Sequence, residues 1–211
     1  MLSTINGLYD PLGIVAPFTL TGKLLLRVLR ESMATNHDLT WDEPLPEKIT
    51  DRWKTWVNSL PSLQEVQLPR AYNSVIRDHQ YLYVYSDASQ EAVAAVAYVV
   101  TTDDLGAQHA SFVFGKAKVA PKHGHTIPRL ELCDAVLAVE LYEVCHEEMD
   151  IEFRNVKFFT DSKIVLGYLY NETRIIVEFC GFKKDNSGVY WIFGIRFISL
   201  VISKIVILII V

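Results

Sequence analysis

Cysteine is scarce in this chain. Cys133, Cys145 and Cys180 are too few and too scattered for a disulfide framework or a CxxC zinc site, and read as free thiols of a reducing, intracellular compartment. A basic excess is also missing. Lys and Arg total 20 against 25 Asp and Glu, a net charge of −5, so coating of nucleic acid by charge alone is a poor default. The N-terminus lacks a basic n-region, and Asp10-Pro11 interrupts its apolar residues, so no secretory signal peptide is expected. Neither an Asp-Ser/Thr-Gly peptidase triplet nor a Tyr-x-Asp-Asp polymerase motif occurs.

What is present supports a packed core. Hydrophobic residues make up 50% of the 211 and charged residues 21%, enough for one ordinary domain or two small ones. Residues 1–78 are marked by prolines and tryptophans. Tyr9-Asp10-Pro11-Leu12-Gly13 is a turn signal, and Leu20 to Leu29 reads as a short helix with a solvated basic flank of Lys23, Arg27 and Arg30. Trp41-Asp42-Glu43-Pro44-Leu45-Pro46 reads as an extended linker. Ile49, Trp53, Trp56, Val57 and Leu60 then share one face at helical period, and Pro61 is expected to stop that helix.

Residues 79–173 alternate strand and helix. Tyr81 to Tyr85 predicts a buried strand ending at Ser86-Asp87, and Val93 to Val100 a second. Asp103-Asp104-Leu105-Gly106 makes a turn, and Gln108 to Gly115 returns as a third, antiparallel strand. A polar loop, Lys116 to His125, leads to a helix opened by Pro128, with Leu130, Leu137, Leu141 and Val144 facing inward. Val156 to Thr160 is a fourth strand, and Ser162 is placed to cap a further helix. The order βββαβα predicts an α/β (α+β) sandwich of sheet and helices. Residues 174–211 have no clear place in it. Arg174 to Phe179 reads as a strand, Gly181 to Gly188 as a polar turn, and an apolar tail follows.

Three acids carry the candidate chemistry. Asp87 and Asp161 each end a β-rich run and precede small polar residues, so they are expected at one edge of the sheet, where such folds place ligands. Glu131 is expected in the first turn of the long helix, facing the same crevice. Each acid alone also fits a turn or helix-terminus role. Three hard oxygen donors around one point require a cation such as Mg²⁺.

The motifs Tyr9-Asp10-Pro11-Leu12-Gly13-Ile14-Val15-Ala16-Pro17, Trp41-Asp42-Glu43-Pro44-Leu45-Pro46 and Leu68-Pro69-Arg70 occur in order with Tyr85-Ser86-Asp87-Ala88-Ser89. Gly115-Lys116, Val119-Ala120-Pro121, Thr126-Ile127-Pro128-Arg129-Leu130-Glu131-Leu132 and Phe159-Thr160-Asp161-Ser162-Lys163 follow. Through about residue 172 the chain resembles the ribonuclease H region of a Bel/Pao-type retrotransposon reverse-transcriptase polyprotein. The resemblance implies a ribonuclease H-like mixed sheet with flanking helices over 79–173. Over 1–78 it implies a small helical segment connecting the polymerase thumb to it. It implies that Asp87, Glu131 and Asp161 are catalytic and hold two Mg²⁺ or Mn²⁺ ions. The implied reaction is hydrolysis of the RNA strand of RNA–DNA hybrids, alongside the polymerase portion of the parent polyprotein. Lys116, Arg129 and Lys163 become candidate phosphate contacts.

The departures point to an impaired or inactive domain. Nothing matches the family's fourth, downstream acid, Asp185 lies in an unsupported turn, and Asp134 stands where the family has a small residue. A catalytically inactive nucleic-acid-binding relic is therefore the alternative. His123 and His125 lack a third and fourth ligand and read as solvated loop residues rather than a zinc site. From Trp191 to Val211, sixteen of twenty-one residues are apolar. Fifteen aliphatic or Phe residues at roughly 0.3–0.6 kcal/mol each nearly balance Arg196 and Lys204 at roughly 2.5–3.5. A tail-anchored membrane protein is thus the weakest reading. A divergent, read-through tail is the preferred one, and no membrane partner is expected.

Overall fold

The computed structural model describes residues 1–35, 44–69, 80–122, 125–149, 155–170, 183–184 and 190–193. The linker residues 41–43, the strand expected over 174–179, most of the turn over 181–188 and the tail beyond 193 lie outside the described residues, as do His123, Cys180 and Asp185. So does the expected boundary near 78. The chain divides into two compact units, Met1–Leu68 and Pro69–Val211.

The first unit is helical. Short α1 (Leu2–Asn6) precedes the Asp10–Gly13 turn, where Gly13 adopts φ +74°. The Asp10 carboxylate accepts the backbone N–H groups of Ile14 (2.8 Å) and Val15 (2.9 Å), which fixes the two residues that lead into the next helix. With that start fixed and no proline beyond its first turn, α2 spans Ala16–Thr35, well beyond the expected Leu20–Leu29. Helix α3 (Glu47–Ser59) buries Ile49 and Trp56, while Trp53, Val57 and Leu60 are half-buried. Pro61 ends the α-helix but not the helical path. The chain tightens into a 3₁₀ turn over Leu60–Glu65, whose opening positions need no donor from proline.

Gly22 decides how closely α2 and α3 pack. A Cβ there would fall 2.7 Å from the Trp56 indole, so only glycine admits the ring. The indole N–H donates to the Phe18 carbonyl at 2.9 Å, which satisfies its polar tip inside the contact.

The second unit is a mixed sheet with helices packed on it. Its strands are β1 (Gln80–Ala88), β2 (Ala92–Thr102), β3 (Gln108–Val119), β4 (Asn155–Thr160), β5 (Lys183–Lys184) and β6 (Tyr190–Phe193). They lie in the order β3-β2-β1-β4-β6-β5. The three N-terminal strands pair antiparallel through short hairpins, as their turn signals require. The long connection through α4 (Ile127–Glu148) lets β4 run parallel to β1. Helix α5 (Lys163–Tyr170) follows β4, and β6 pairs antiparallel with it.

Period-two alternation sets the core. Leu82 and Val84 of β1 are fully buried with Ala97 and Val99 of β2, against Leu130, Leu137 and Leu141 of α4 and Val165 of α5. Two strand expectations and one helix expectation differ from the structure. β1 is not buried on both faces: Tyr81 and Tyr83 are half-buried, Tyr85 is exposed, and Tyr85 stacks on Phe159 at 4.4 Å. β3 runs on to Val119, because Ala117, Lys118 and Val119 pair with Ala94, Val93 and Ala92, so Lys116 belongs to a strand rather than a loop. Val144 is 42% exposed, off the buried stripe of α4.

Candidate active site

The register of two strands places the first two acids. Tyr85 of β1 lies opposite Phe159 of β4, and two residues further along each strand's path come Asp87 and Asp161. Adjacent parallel strands lie about 4.8 Å apart, so both acids stand level at the C-terminal edge of the sheet. Asp87 is the second-last residue of β1, Asp161 is the first beyond β4, and both are exposed.

Glu131 reaches the same edge from α4, but from the second turn rather than the first. The helix opens at Ile127 behind Thr126 with Pro128 in its first turn, which makes Glu131 its fifth residue. Its position is held by a hydrogen bond rather than by the helix terminus. The Ser162 hydroxyl donates to Glu131 Oε2 at 2.7 Å and accepts the Val165 N–H at 3.0 Å, so one group both caps α5 and fixes Glu131 beside Asp161. The Ser162 N–H in turn donates to Thr160 Oγ1 at 3.1 Å. The cap was readable from sequence; the tether was not.

A fourth acid lies on α4 one turn beyond Glu131. Asp134 lies three residues after Glu131, on the same face of α4, and is 1% exposed. Its carboxyl is pushed up to about 8, by burial first and then by the neighbouring charge of Asp87, with Glu131 and Asp161 adding to it against an opposing Ala135 N–H. The Oδ1 atom is buried and has no hydrogen-bond partner among the described residues. From the sequence Asp134 is only an out-of-place acid, because its burial depends on how α4 packs on β1.

The candidate basic contacts are spread around this edge. Lys163 is exposed immediately after Ser162, and Arg129 is half-buried in the first turn of α4. Lys116 lies two strands from β1, in the row Ser86–Ala95–Lys116, where it pairs with Glu140 at 3.6 Å; Lys118 also reaches Glu140, at 3.2 Å. His125 is half-buried with a shielded Nδ1, not solvated as expected. Asp103 is a hairpin residue: its carboxylate accepts the N–H groups of Leu105 and Ala107, and Gly106 adopts φ +81°.

The donor set of hard carboxylate oxygens, one of them orphaned and buried, suits Mg²⁺ or Mn²⁺ in chemistry. Among the described residues, no three His, Cys, Asp or Glu side chains already close around a single point. No described helix is long and apolar enough to cross a membrane. The sequence model of the family described as the Pao retrotransposon-like RNaseH-like domain matches residues 1–162, more than three quarters of the chain. No curated protein matches it.

Proposed function

From a chain that belongs to the Pao retrotransposon-like RNaseH-like domain family, we propose a metal-dependent ribonuclease site that acts on the RNA strand of RNA–DNA hybrids, in impaired form. The observation that carries this reading is the registration of Asp87 and Asp161 at the ends of adjacent parallel strands, with Glu131 tied to the same edge through Ser162. When bound, divalent ions supply charge neutralisation at the scissile phosphate and activation of water. Asp87, Glu131 and Asp161 are the residues that would hold them. The Ser162 hydroxyl orients Glu131 so that its second oxygen is left for a ligand. Lys163 and Arg129 contact phosphates flanking the cut, while Lys116 binds further along the duplex.

Impairment follows from the fourth, downstream acid of the family pattern, which nothing in residues 174–211 matches. In this reading the domain works beside the polymerase portion of its parent polyprotein, inside the cell, where free thiols such as Cys133 and Cys145 persist.

The test is cleavage of a labelled RNA–DNA hybrid in Mg²⁺ and in Mn²⁺ by the full chain and by Asp87→Asn. Slow cleavage that the substitution abolishes supports the proposal. Equal, negligible signal from both proteins sinks it and leaves a nucleic-acid-binding relic.

A further inference from the structure

We propose that Asp134 is itself a cation ligand, so that one face of α4 offers two carboxylates, Glu131 and Asp134, to a divalent ion at the sheet edge. The inference rests on the metal-dependent reading above and extends it to a residue which that reading leaves out.

Three observations bear on it. Asp134 is 1% exposed, and its Oδ1 is a shielded oxygen to which no described group donates. Buried carboxylates are otherwise almost always hydrogen-bonded, because an unpaired polar atom forfeits its hydration without compensation. The one-turn spacing from Glu131 puts both side chains on the same face of α4, and that helix packs on β1, the strand that carries Asp87. The remaining charges that act on the carboxyl are those of Asp87, Glu131 and Asp161, all of its own sign. A buried acid facing three others is unfavourable in the protein alone. A divalent cation reverses that balance, since each added carboxylate then strengthens its binding.

A purely structural role fits less well. An acid kept to brace the core would be expected to accept a donor at each oxygen, as Asp10 does from Ile14 and Val15. Alanine would fill the Asp134 position without leaving an orphaned oxygen.

Titration of the full chain with Mn²⁺, followed by electron paramagnetic resonance and calorimetry, tests this without reference to turnover. The wild type should bind Mn²⁺, and Asp134→Ala should weaken binding by about 10-fold or more, the scale on which ligand-shell losses act. The isosteric Asp134→Asn should weaken it by a smaller factor. Circular dichroism verifies that both variants fold, and if the alanine variant does not, the asparagine variant decides. A cation-induced rise in thermal midpoint that is present in the wild type and lost in Asp134→Ala is the second expected sign. Wild-type affinity in both variants overturns the proposal while leaving the three-acid site intact. Absence of Mn²⁺ binding by the wild type overturns this proposal and the metal-dependent reading together.

Discussion

The hydroxyl of Ser162 joins three parts of the second unit: the end of β4, the start of α5 and the Glu131 side chain. Removing it therefore has two separable effects. Ser162→Ala should cost about 0.5–2 kcal/mol through the lost cap, measured by urea unfolding. It should also lower any hybrid cleavage by about 10-fold or more, because Glu131 loses the bond that orients it. Asp134 gives a pH dependence of definite sign. Its folded-state value of about 8 lies above the ordinary carboxylate range, so between roughly pH 4 and 8 the unfolded chain holds fewer protons than the folded one. In metal-free protein this contribution is most favourable below about pH 4 and declines as pH rises toward about 8, by up to about 1.4 kcal/mol per unit. Urea midpoints measured across pH 5–8 should fall in the wild type. In Asp134→Ala they should be flatter and, at pH 7–8, higher.

Elements owe their positions to a few contacts of this kind. In the first unit, α2 and α3 meet where Gly22 admits the Trp56 ring. Alanine at position 22 would gain helix propensity of about 1 kcal/mol but drives a methyl group into an indole that cannot move aside. The expected outcome is a net loss of stability, about 1–3 kcal/mol before that gain is subtracted, read from chemical denaturation. Trp56→Ala should cost about 3–5 kcal/mol, since it removes a ring that is 5% exposed and its hydrogen bond to Phe18. Trp53 packs against it with ring centroids 4.9 Å apart and the planes tilted by 30°, and is only half-buried, so its truncation should cost less. In the second unit, strand length was harder to read than strand identity. β3 outlasts its apolar alternation because β2 continues to offer it partners, and such partners lie far away in sequence.

Across the whole molecule, the cores of Met1–Leu68 and Pro69–Val211 are separate. Substitutions in one should leave the local stability of the other almost unchanged. Hydrogen exchange on Trp56→Ala should show faster exchange in α2 and α3, with protection of β1 to β4 retained; loss of protection in the sheet would show that the two units fold as one.

Local sequence signals carried the elements from β1 to α5, their order and the family, but not α1, the 3₁₀ turn or strands β5 and β6. Hairpin turns, alternating strands and proline-opened helices are local signals, and the ordered motifs around Asp87, Glu131 and Asp161 identify the chain as a family member. What depended on tertiary structure was the company each side chain keeps. Register between β1 and β4 brought Asp87 level with Asp161, and the start of α5 brought Ser162 to Glu131. Packing of α4 on the sheet turned Asp134 from an out-of-place acid into a buried one whose Oδ1 has no partner among the described residues. Burial and hydrogen-bond partnership are properties of pairs of distant segments, so no local pattern encodes them, and only the folded chain decides which acids share a site.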